Sequence, residues 1–98
     1  MTRENVESEL AAAIDADTAS GSPYWGPGSE MASIAFRRWS TFARRHKTKQ
    51  PTFDHRVHDL AKGLRLHYQP DIQYAPESVY LELARVLAEI LAREDDSH

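Results

Sequence analysis

The sequence predicts an all-α fold, a small bundle of four helices, and three observations carry that prediction. Apolar residues recur at helical rather than alternating spacing through four separate stretches. Each stretch is bounded by Pro, Gly or a capping hydroxyl residue. The last stretch, Val79 to Ala92, is the most apolar part of the chain and supplies the aliphatic mass that a core needs. The 98 residues make a single helical domain, 1–98, with room for one core and no large internal substrate cavity.

The first helix is expected over about 3–17. Thr2 is placed to cap it, and Glu4 and Glu7 lie in the opening turns, where carboxylates meet the positive end of the helix dipole. Its apolar stripe is narrow, formed by Val6, Leu10, Ala13 and Ile14. The linker from Thr18 to Gly28 is rich in Ser, Gly and Pro, yet it carries Tyr24 and Trp25. Two readings of that pair are open. Either the rings fold back as a lid on the core, burying the large area they carry, or they stand out as an anchor for a partner.

The second helix is expected over about 30–46, capped by Ser29. Ala32, Ala35, Phe36, Trp39, Phe42 and Ala43 form its buried stripe, while Arg37, Arg38, Thr41, Arg44 and Arg45 occupy the other side. A polar, basic connection, Lys47 to Pro51, leads to a third helix over about 53–67 with Thr52 as its cap. Its stripe is Phe53, Val57, Leu60, Ala61, Leu64 and Tyr68. Gly63 inside it costs about 1 kcal/mol relative to Ala, which points to close helix packing or a weakened last turn.

A linker with a brief extended piece, Ile72 to Tyr74, precedes the fourth helix, expected over about 76–93 with Pro76 at its first position. Only Glu82, Arg85, Glu89 and Arg93 interrupt its apolar surface. A helix apolar nearly all round is either central to a bundle or shared with a second copy as a homodimer seam. Residues 94–98 read as a frayed acidic tail.

Charge is the feature that speaks to partners. Nine of the 12 Lys and Arg residues lie between Arg37 and Arg65, against only Asp54 and Asp59, so that window carries a formal +7. The flanking segments carry −5 each, and the overall −3 hides a basic centre between acidic arms. Either another molecule supplies the missing negative charge, or the arms fold back so that Glu4, Glu7 and Glu9 meet the second-helix arginines.

Several function classes are excluded or disfavoured. Without cysteine there is no disulfide, thiolate zinc site or thiol nucleophile. No apolar run reaches the about 18 residues of a membrane span, and the acidic start is unlike a secretory signal, so a cytoplasmic location is expected. The serines lack a Gly-x-Ser-x-Gly setting, and no Lys-Ser/Thr follows the linker glycines; neither an enzyme nor a cofactor is expected. His55 and His58 supply two ligands where zinc takes three or four, so no metal is expected.

The expected function is that of a small non-enzymatic binding or regulatory protein docking on an acidic protein partner. The contact residues are Arg37, Arg38, Arg44, Arg45, Lys47 and Lys49, with Tyr24 and Trp25 as anchors. The alternative is nucleic-acid binding by the same cations. It ranks second because the pI is about 5.9 and the third helix shows no Asn or Gln base reader.

Overall fold

In a computed structural model, the described residues form four helices, α1 (Arg3–Ala19), α2 (Gly28–Arg45), α3 (Phe53–Tyr68) and α4 (Glu77–Asp96). The structure describes residues 3–21, 25, 27–45, 52–68 and 76–96. Thr2, Tyr24, Lys47, Lys49 and the extended piece expected at 72–74 lie outside them, as does the side chain of Tyr68. Each helix packs on the next, α4 closes back onto α1, and α2 touches α4 across the bundle. The radius of gyration, 12.9 Å, matches the about 13 Å of a single compact domain of this length.

The first helix buries Val6, Leu10 and Ile14, the narrow stripe its spacing predicts. It runs two residues past the expected end at Asp17, because Thr18 and Ala19 do not break a helix. The stop is Gly21, whose φ of 108° lies in the left-handed region that a residue with a Cβ rarely adopts. The hydroxyl of Ser20 donates to the Asp17 carbonyl at 2.8 Å and occupies one of the orphan acceptors of the last turn.

Trp25 is fully buried, which corrects its assignment as an anchor for a partner. Its indole Nε1 donates to Asp17 Oδ2 at 2.8 Å, so the one polar atom of the ring is satisfied. The ring meets Tyr80 of α4 edge-on, with centroids 5.2 Å apart. Trp25 therefore closes the bundle between the end of α1 and the start of α4.

The second helix begins at Gly28 rather than at Glu30, and Ser29 falls inside its first turn instead of capping it. The Pro27 carbonyl accepts from the N–H groups of Glu30 and Met31 at 3.1 and 3.4 Å. Close approach to α1 explains the glycine. A Cβ at position 28 would lie 2.7 Å from Asp15 Oδ1 and 2.8 Å from the Ala11 carbonyl oxygen. Met31, Ala32, Ala35 and Trp39 are the buried stripe; Phe36 and Phe42 are half-buried, and Ala43 is exposed against expectation. The fully buried stripe thus ends at Trp39.

Thr52 caps α3 as its sequence position predicts, with Oγ1 accepting from the His55 N–H at 3.2 Å. Val57, Leu60, Ala61 and Leu64 are buried, whereas Phe53 at the first position remains 38% exposed. The fourth helix runs to Asp96, beyond the tail expected from 94, since no Pro or Gly stops it. Its apolar surface is covered within one chain: Tyr80, Leu83, Ala84, Leu87, Ala88, Ile90 and Leu91 are buried, and Val86 is 47% exposed. Its opposite side, with Glu82, Arg85, Val86, Glu89 and Arg93, is exposed, so α4 buries one broad face and is not surrounded as a central helix would be. The apolarity that suggested a homodimer seam is used internally, apart from Val86 and the neighbouring Phe53.

Replacing Gly by Ala inside a helix normally stabilises it by about 1 kcal/mol. Here the sign reverses. Gly28→Ala forces a methyl group onto the Ala11 carbonyl, and a loss of about 1–3 kcal/mol is expected in urea denaturation. Unchanged or increased stability would mean that α1 and α2 do not approach this closely.

Candidate basic groove between α2 and α3

On a helix, residues four apart stand above one another. Two such rows meet on the outer side of α2: Ile34, Arg38 and Phe42, and beside them Arg37, Thr41 and Arg45. The facing helix, α3, contributes Asp59 and Gly63, also four apart. Together these eight residues line a groove of about 310 Å³.

Its floor is an ion pair. Arg38 donates from Nε to Asp59 Oδ2 and from Nη2 to Asp59 Oδ1, both at 3.0 Å, in the bidentate geometry that suits guanidinium and carboxylate. The stem of Arg38 lies directly on Gly63, where a Cβ would stand 3.0 Å from its Cδ. Close packing is therefore the reason for the glycine that the sequence flagged. Arg38 is half-buried and committed to the fold, which corrects its place among the outward contact residues.

Arg37, Arg44 and Arg45 do face outward and are exposed. Arg44 donates to the Thr41 hydroxyl at 3.4 Å. Among the described residues, neither Arg37 nor Arg45 has a carboxylate partner. Among the described residues, no acid of the two arms pairs with them. Glu7 pairs within its own helix with Arg3 at 2.9 Å, and Glu9 with Arg93 of α4 at 2.8 Å. Arg3 in turn stands 4.9 Å over the ring of Phe36, a cation–π contact.

Other cations of the basic window are used structurally. Arg56 of α3 lies 3.5 Å over the Trp39 ring and donates from Nη2 to the Trp39 carbonyl at 3.2 Å. A second cleft, between α3 and α4, is lined by His58, Lys62, Arg65, Glu77 and Tyr80. Burial pushes the Tyr80 phenol above its ordinary 10.0, and the positive charge of Arg65 partly opposes that rise. The phenol therefore stays neutral at physiological pH, and its contribution to stability is lost only as pH climbs past 10.0 towards the folded value. His55 and His58 are both exposed, and among the described residues no three His, Asp or Glu converge to hold a metal ion.

Of the groove residues, sequence reasoning singled out the arginines but not Ile34, Asp59 or Gly63 as parts of one site, and it assigned Phe42 to the core. The four-residue rows on α2 are visible in the sequence; the opposing Asp59 and Gly63 are not, because they need the α2–α3 pairing. Arg38 is predicted to hold that pairing modestly. Asp59→Asn keeps the shape and removes the charge, so a loss of about 1 kcal/mol is expected at low salt. Urea denaturation at low and high salt should show the wild type approaching the variant as salt rises; a variant as stable as the wild type at low salt would remove the pair from the seam.

Compared with known proteins, the chain matches no protein-family model, no curated sequence and no solved structure. The reading of its surface rests on geometry and charge.

Proposed function

We propose that this chain is a small non-enzymatic binding protein that docks on an acidic protein surface through the outward face of α2, with Arg37, Arg44 and Arg45 as its contacts. One observation carries the reading. Arg37 and Arg45 stand exposed at the rim of a groove with no carboxylate partner among the described residues, although the chain carries more acids than bases. A surface that leaves those cations open while Glu7, Glu9 and Asp59 pair elsewhere suits an external negative charge. Lys47 and Lys49, which follow α2 in sequence, extend the same run of positive charge.

A protein partner is favoured over a nucleic acid. Arg38 and Arg56 are spent inside the fold, which lowers the number of phosphates the basic window can neutralise. The groove also presents Ile34 and Phe42, surfaces that suit an apolar side chain and do nothing for a phosphate. The exposed side of α3 carries Asp54, His55, His58, Lys62, Arg65 and Leu66, with no amide to read a base edge.

Fluorescence anisotropy distinguishes the two. A labelled flexible Glu/Gly peptide should bind at low salt, weaken as salt rises, and lose most of its affinity to the triple variant Arg37→Ala, Arg44→Ala, Arg45→Ala. Tighter binding of a labelled DNA duplex, with a steep salt slope reduced by the same substitutions, would give the face to nucleic acid instead. No binding of either at low salt would reject both readings.

A further inference from the structure

The groove does more than collect negative charge, because its charges are sorted by position. At the rim, Arg37 and Arg45 are eight residues apart on α2, about 12 Å along the helix at 1.5 Å per residue. Between them the lining is Thr41 and Phe42, with Ile34 one turn before Arg37. Beneath lies Asp59, whose two carboxylate oxygens are already taken by Arg38. A carboxylate or phosphate pushed into the middle would meet a neutralised pair and would have the Asp59 charge for a neighbour. An apolar side chain there loses nothing, and carboxylates at the two ends each find an open guanidinium.

Resting on the docking reading above, we infer that the partner segment is an amphipathic helix with a long apolar residue flanked by carboxylates four residues to either side. Positions i, i+4 and i+8 of a helix share one face and span the same about 12 Å as Arg37 and Arg45. The helical form follows from the walls. Both sides of the groove are helices, which offer no strand edge, so an extended segment would leave its backbone groups to water while a helix satisfies its own. A volume of about 310 Å³ sits at the small end of ligand sites, the scale of a few side chains rather than a cofactor.

Three synthetic peptides of about 15 residues, long enough for partial helicity, test the register. The matched peptide carries Glu, Leu and Glu at i, i+4 and i+8. The second replaces that Leu by Ala. The third keeps the composition but moves one Glu two positions, roughly 200° around the helix at 100° per residue. The matched peptide should bind at least about tenfold more tightly than either control and than the flexible Glu/Gly peptide. Its amide-shift perturbations should centre on Ile34, Thr41 and Phe42, and either Arg37→Ala or Arg45→Ala should abolish the preference. Both arginines are exposed, so circular dichroism should confirm that these variants fold. Equal binding of all the acidic peptides would overturn the register and leave general acidic docking standing. Failure of every acidic peptide would overturn the docking reading itself, and preferential binding of the Leu→Ala control would overturn the apolar contact.

Discussion

The bidentate pair between Arg38 and Asp59, laid over Gly63, is the constraint on which the surface of this protein depends. It ties α2 to α3 at the point where a missing Cβ lets the arginine stem lie flat. Its energy is modest, about 1 kcal/mol for a partly exposed pair. Its positional effect is larger. By turning Arg38 inward it separates that side chain from its sequence neighbour Arg37, 100° further round the helix, and leaves the open cations at the groove rim. One helix thus supplies both a structural arginine and arginines that stand exposed.

Behind that surface, Trp25 joins a core otherwise built from the four helices. Trp25 is held at its indole nitrogen by Asp17 and at its ring by Tyr80, so it bridges the end of α1 and the start of α4. Gly28 then allows α2 to leave the linker in near-contact with α1. The broad buried face of α4 follows from composition: its charges in the main span are confined to one exposed strip, Glu82, Arg85, Glu89 and Arg93, and the rest packs on the other helices. This packing holds the first turns of α2 in place, and the groove inherits its geometry from them.

Much of the fold was legible in the sequence. Periodic apolar positions placed all four helices, Thr52 announced its own cap, and Gly63 signalled either a close approach or a weak last turn, of which the structure shows the first. What was not legible has a common cause, namely dependence on distant residues. Trp25 could lid the core or anchor a partner, because the same rings serve both ends; only the positions of Asp17 and Tyr80 decide. Arg37 and Arg38 look alike in sequence, and their different fates depend on Asp59, 21 residues after Arg38. Glu9 seemed free to meet α2, yet it pairs with Arg93, 84 residues away. The start of α2 was misplaced because Pro and Gly read as linker, whereas Gly28 is required by α1.

The account stands on Arg38 being held while Arg37 and Arg45 are free to engage. Arginine side-chain N–H resonances in nitrogen-15-labelled protein report this directly. A resolved Arg38 Nε–H signal should exchange slowly with water and persist as salt is raised, while those of Arg37 and Arg45 exchange fast. Equal, fast exchange at all three would place Arg38 on the open face, dissolve the neutral floor of the groove and contradict the division of α2 proposed for its function.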